Sequence, residues 1–374
     1  MNGLIQAAED AAIARAADNG YIIDHDPSDK HGVEANCFFD PLTAARPWAE
    51  KYIDIHTWVT RDTDTSLIHF VYPGPVRNTV DAITRIRPRT PAAFGNAIVA
   101  LNDSGCSGNS NGVIFGGNTS TSVTGGGVFS NGCLGANGNS FNVDVNPLNP
   151  GEPTPNIIYQ SGQLSSQVSS RLDQIDPDPI AATTTLPEDS WRIDPPTCTG
   201  LPTRSQPGGS VYVMEPGVYG RIKINNGESV TMAPGLYCIT DSQGFTMNGG
   251  SLLGHGVTIY IKHASGVFSI TGGMADLESP DDFPDPSPAL PNVMVYSEAG
   301  GDAVSLTGNG DSSYLGTVYA PYGTINVIGG GAINQVFNTQ LIGNNVFTSG
   351  SATIDIRYSG DKTWWDSARL DLNK

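Results

Sequence analysis

Charge is scarce in this sequence. Only 15% of its 374 residues are Asp, Glu, Lys or Arg, and 19 basic residues face 37 acidic ones, giving a formal net charge of -18. A chain so poor in cations has no long-range attraction for a phosphate backbone, so nucleic acid is excluded as a partner. Apolar runs of the roughly 18 residues needed to cross a bilayer are missing, as is a start with a basic end and an apolar middle, so the chain as read is expected to be soluble. The five cysteines form no Cys-x-x-Cys or Cys/His spacing suited to zinc. No two of the six histidines are four residues apart, and neither a nucleophile elbow nor a phosphate-binding loop occurs, so no cofactor is expected.

What is abundant is turn chemistry: 45 glycines and 26 prolines, without the strict three-residue glycine period of collagen. From Gly208 to Tyr358 short β-prone runs alternate with Gly/Asn turns. Pro216-Gly217-Val218-Tyr219 and Pro234-Gly235-Leu236-Tyr237 are near copies, and Asn226-Gly227, Asn248-Gly249-Gly250 and Thr271-Gly272-Gly273 recur about every twenty residues, a solenoid period. Val, Ile and Leu alternate with Ser, Thr and Asn, which predicts an apolar inside and a wet outside. The expected fold class is mainly β: a right-handed parallel β-helix (solenoid), preceded by a small α+β N-terminal domain with an N-terminal α-helix.

In chain order, residues 4–18 are alanine-rich and stop at Asn19-Gly20, predicting a helix whose small-sided stripe can approach a neighbour closely. Leu4, Ile5, Ala8, Ala11 and Ala12 are its candidate assembly residues. The polar loop from Asp24 to His31 lacks the glycine and terminal Glu of a calcium loop and reads as solvated. Strands are expected at 52–59 and 80–86, with a short helix at 65–72 between them. Residues 1–90 thus form the N-terminal domain, 91–145 the first coils, and 146–207 a proline-rich excursion with one amphipathic helix at about 161–175. Residues 208–360 form the main stack, and 361–374, with Trp364, Trp365, Leu370 and Leu372 nearby or within, a cap or tail.

Cys106 with Cys133 and Cys198 with Cys238 are candidate disulfides of an oxidising compartment, leaving Cys37 odd; the alternative is five reduced, buried cysteines. Three short strings, Arg221-Ile222-Lys223, Gly254-His255-Gly256 and Asp281-Asp282, match signatures of polygalacturonases, but in reversed order and with the aspartates in a proline-rich loop that fixes no carboxyl separation. No catalytic residue is therefore assigned. A carbohydrate-binding module would need outward aromatics, with Tyr260, Tyr296, Tyr314 and Tyr319 as the residues to inspect.

Leu4-Ile5-Gln6-Ala7-Ala8-Glu9-Asp10-Ala11-Ala12 resembles the segment that follows the membrane anchor in TadE/TadG-like proteins of tight-adherence pilus systems, and the strands at 52–59 and 80–86 fit the small pilin-like domain after it. The text from Ala93 to Leu101 and from Gly116 to Cys133, and Gly316 to Pro321, is similar to the continuation and the β-helical domains of such surface proteins. The resemblance implies a non-enzymatic, extracellular, cell-surface structural protein: a subunit of a pilus or surface filament, or a pilus-associated adhesin. Its implied partners are copies of itself or other pilus subunits, and a surface polysaccharide. Family members carry an apolar helix before the Gln-Ala-Ala segment, whereas this chain begins Met1-Asn2-Gly3, so membrane attachment is expected only through a missing N-terminal anchor. The rival expectation is a polysaccharide-active or carbohydrate-binding β-helix protein.

Overall fold

The computed structural model describes residues 2–39, 51–63, 75–106, 110–138, 140–308, 312–330, 335–366 and 368–372. The helix expected at 65–72 lies outside them. The chain divides into two compact units, Met1–Thr90 with Asp366–Lys374, and Pro91–Trp365.

In the first unit α1 (Asn2–Asp18) ends as its sequence asks: Gly20 takes φ 83°, Tyr21 N–H returns to Ala16 O, and the Asn19 side chain caps Arg15 O. Ile5, Ala8, Ala12, Ile13 and Ala16 pack on Ile23, Val33, Ala35 and Ile55. The antiparallel sheet runs β1 (Val33–Phe39), β2 (Lys51–Thr63) and β3 (Val76–Arg87). Across the β2–β3 pair Arg85 clamps Asp54 through two bonds of 2.8 and 2.9 Å, and its guanidinium lies 3.8 Å from the Tyr52 ring centre. The sheet is completed from the far end of the chain. Arg369–Leu372 pairs antiparallel with β3, Leu370 opposite Ile86, so this part of the expected tail is a strand of the first unit rather than a cap on the stack.

The second unit is mainly β, a long parallel sheet of the kind a β-helix or solenoid forms. Its described strands fall into three ladders, and their inward side chains share one apolar cluster that runs from Ile98 and Val128 to Ile222 and Ile354. Flat rings stack within it at the repeat spacing: Phe245 on Phe268 at 5.0 Å and Tyr314 on Phe337 at 5.5 Å between centroids. Each fully buried Phe or Ile contributes about 1.5–3 kcal/mol, and because every rung buries only against its neighbours the stability is spread along the stack.

The order of rungs in space is not their order in sequence. Along one ladder Val218 faces Cys238, Cys238 faces Tyr260, Tyr260 faces Tyr296, Tyr296 faces Tyr319 and Tyr319 faces Ile342. Ile342 then faces Val99, from the start of the unit, and the ladder continues through Phe129 and Ile158 to Ile180. The other two ladders make the same join, Val346 on Val113 and Ile354 on Thr121. The chain therefore enters the stack in its middle, builds outward to one end, and resumes at the other end to climb back. Entry and exit lie together, with Ala92 N–H bonded to Trp364 O at 2.9 Å and the Gln340 amide donating to Ala92 O and Asn96 O. The ten rungs that the described residues give this ladder, spaced about 4.8 Å, span about 43 Å.

The stretch 146–207 departs from the sequence expectation in two ways. Ile157–Gln160, Ile175–Asp176 and Ile180–Ala182 belong to the stack. The amphipathic helix at 161–175 is a single turn, Ser166–Ser169, capped by Ser165 Oγ, followed by a 3-10 turn at Leu172–Gln174. Leu164 bridges to Leu134, Val168 is buried, Leu172 is exposed and Ile175 pairs with Val143: four-residue spacing here marks corners of a coil, not one helix face.

What remains of the excursion is a strap from 183 to 207 that connects one end of the stack to the other. Leu186 N–H binds Asn131 Oδ1, Ile193 is held between Tyr319 and Tyr296, Cys198 is bonded to Cys238, and Thr203 bridges to Val218 on the terminal rung. There the Gln206 side chain acts as a piece of missing strand, accepting from Lys223 N–H at 2.9 Å and donating to Lys223 O at 2.7 Å. Exposed edges invite pairing with other chains, and the strap covers this one.

Candidate functional site

The assembly residues expected on α1 divide. Ile5, Ala8 and Ala12 are spent on the helix's own sheet, Ala11 is exposed on the outer side, and Leu4 lies in the first turns of the helix. In the polar loop after it each carboxylate is used on the loop backbone: Asp24 accepts from Asp26 N–H, Asp26 from Ser28 N–H and Asp29 from His31 N–H.

Both candidate disulfides are present. Cys106–Cys133 ties the loop after the Asn96–Ala100 rung to the rung stacked on it, and Cys198–Cys238 fastens the strap to a ladder; Cys37 is free. Two such bonds point to an oxidising, extracellular environment. No helix of the described residues is long and apolar enough to cross a membrane.

The polygalacturonase-like strings do not assemble. His255 contacts Asp276 at 3.1 Å and Glu278 at 3.8 Å, and Lys362 bridges Glu278 to Asp281, so one aspartate of the pair does reach this patch. Asp281 and Glu278 outweigh the effect of burial and hold the Lys362 ammonium above its ordinary pKa. Both carboxylates are thereby paired to a permanent cation. Arg221 is not part of the patch: it binds Gln243 at a turn leading into a different ladder. Asp282 turns to Asn292. Among the described residues no group of three or more His, Cys, Asp or Glu is arranged to hold a metal ion.

Tyr260, Tyr296, Tyr314 and Tyr319 are all buried and offer no outward platform. Two of them instead form the floor of a cavity of about 520 Å³ under the strap. Tyr296 Oη donates to Ile193 O at 2.9 Å and Tyr319 Oη accepts from Ile193 N–H at 3.3 Å, so both backbone groups of Ile193 are satisfied by the floor. Burial pushes both hydroxyls well above the usual tyrosine pKa. The strap supplies Trp191 and Pro195 as walls, and the corner after the Tyr319 rung supplies Pro321 and the exposed Tyr322. At the rim Arg192 lies 3.3 Å from Glu188 and 3.5 Å from Asp194. Glu298 has no basic partner among the described residues; its carboxylate adds to the burial that raises Tyr260. The Trp191 Nε1–H is buried without a hydrogen-bond partner among the described residues.

This constellation escapes sequence reading because Trp191 and Tyr322 are far apart in the chain and only the strap's path brings them together. The local signal is an isolated tryptophan in the acidic, proline-flanked string Pro187-Glu188-Asp189-Ser190-Trp191-Arg192, where no core is otherwise read. No protein-family model, curated protein or solved structure matches this chain.

Proposed function

We propose that the protein is a non-enzymatic structural protein of the cell surface, a subunit of a pilus or surface filament or a pilus-associated adhesin, related to the TadE/TadG-like proteins its N-terminal segment resembles. In this reading the parallel stack is a right-handed β-helix, the hand that parallel crossovers almost always take, and the first unit is its pilin-like base. The observation that carries the reading is the way the chain is partitioned: both ends belong to the small first unit, and a long disulfide-fastened stack is inserted between Thr90 and Asp366. A base with an inserted, stapled element suits display rather than turnover.

Self-association is assigned to the Arg369–Leu372 edge strand, whose Leu370 and Leu372 are 68% and 77% exposed. Among the described residues no further strand covers this apolar edge, and an open edge is a template for a strand of another copy. Electron microscopy and sedimentation of the native protein test this. Filaments or closed oligomers are expected, lost on Leu370→Asp with Leu372→Asp; a protein that stays monomeric at high concentration contradicts it.

A further inference from the structure

We propose that the cavity under the strap is a saccharide-binding site that takes a neutral or amino sugar unit of a glycan chain. The inference rests on the reading of the stack as a displayed, adhesive element and adds the chemical class of what it holds.

Volume comes first. At about 520 Å³ the cavity falls within the roughly 300–1,000 Å³ of small-molecule sites. Chemistry comes second. A sugar ring presents a patch of C–H groups on its faces and hydroxyls around its rim. Trp191 and Tyr322 supply apolar ring surface, and Tyr322 also a hydroxyl at its tip, while Glu298 and Arg192 supply an acceptor and a planar donor. Tyr296 donates to Ile193 O and Tyr319 accepts from Ile193 N–H, which fixes the floor in place and lowers the ordering cost of binding.

Charge decides between sugar classes. Glu188, Asp194 and Glu298 outnumber Arg192 around the cavity, and the whole chain carries a net charge of -18. Uronic or sulfated glycans are repelled by the carboxylates around the cavity, whereas a neutral or cationic sugar is not.

The test is titration of the purified full-length chain with three probes: a cello-oligosaccharide, a glucosamine oligomer and an oligogalacturonate, followed by calorimetry and tryptophan fluorescence, with choline as a fourth probe. Saturable binding of the neutral or the amino oligomer, no binding of oligogalacturonate, and weakening on the order of tenfold in Tyr322→Ala and in Glu298→Gln are expected. Phe283→Ala, an exposed aromatic that does not line the cavity, is expected to bind as the parent. Neither exposed Tyr322 nor Glu298 lies in the strap or the apolar cluster, so these variants keep the fold. Binding of none of the three oligomers, equal binding of oligogalacturonate, binding of choline alone, or full affinity in both cavity variants overturns the proposal. Because the purified protein is used, these outcomes are independent of where the protein is displayed, which labelling of intact cells tests separately.

Discussion

Asn345 Oδ1 accepts both the Nδ2–H of Asn102, at 3.0 Å across 243 positions of sequence, and the backbone N–H of Gly112, at 2.8 Å across 233. One side-chain oxygen thus pins the last coil of the chain to the first, at the join in the middle of the stack. Replacing it by Asn345→Ala leaves two donors without that acceptor, and an unsatisfied buried donor costs about 1–3 kcal/mol. The expected result is a lower thermal midpoint for the stack, which still loses its structure as one unit, because the join couples residues 96–182 to 208–357 into one cooperative array. Separate loss of amide protection from hydrogen exchange in 96–182 and in 208–357 of the parent protein contradicts the joined stack.

The strap is expected to open without the stack. Replacing Cys198 and Cys238 by Ser removes a cross-link between residues 40 positions apart, worth about 2–4 kcal/mol in a typical protein. The ladders and their apolar cluster do not depend on it. Limited proteolysis should therefore cut between 183 and 207 in the double variant, while the β signal in circular dichroism persists; loss of both together counts against a strap lying outside the stack.

High pH should unfold the protein in a way that reports on its tyrosines. Burial raises the hydroxyls of Tyr237, Tyr296, Tyr314 and Tyr319 above the value of an unfolded chain. A raised pKa means that the folded state keeps its protons where the unfolded state has lost them. The stabilisation is complete below the ordinary tyrosine value of about 10 and is lost as pH rises beyond it. Tyrosinate absorbance and loss of β signal are expected to rise together above about pH 10. Ionisation of all the tyrosines before unfolding contradicts the burial.

Two glycines in equivalent turns should differ. Gly227 (φ 83°) and Gly250 (φ 80°) both take the left-handed region, which costs an L-residue about 1–2 kcal/mol. A Cβ at Gly227 meets nothing within 4 Å, whereas one at Gly250 meets Glu228 O at 2.4 Å and Asn225 O at 2.7 Å, the backbone of the turn beneath. Gly250→Ala is expected to lower the thermal midpoint clearly more than Gly227→Ala.

Much of the β architecture was legible because its physics is local. Alternation of Ile222, Lys223 and Ile224, or of Ser229, Val230 and Thr231, states which side faces in, and Asn226-Gly227 states where the chain turns. The join was not legible. Ile342 accepts Val99 as readily as it would a following coil, since every rung offers the same ladder and apolar face, and nothing in the order of residues says which two coils meet. The helix read at 161–175 fails for a related reason: Leu164, Val168, Leu172 and Ile175 keep helical spacing while serving separate corners of a coil. The cavity was hidden because Trp191 and Tyr322 converge only through the strap, while Tyr296 and Tyr319, candidates for an outward sugar platform, turn inward and build its floor.

The central claim is that this is a displayed extracellular scaffold, and the most direct measurement is antibody labelling of intact producing cells, with the thiol state of the recovered protein read by mass spectrometry. The account predicts label on the outer surface or on filaments leaving it, with Cys106–Cys133 and Cys198–Cys238 formed. Label found only after the cells are opened, on protein whose four cysteines are reduced, contradicts it.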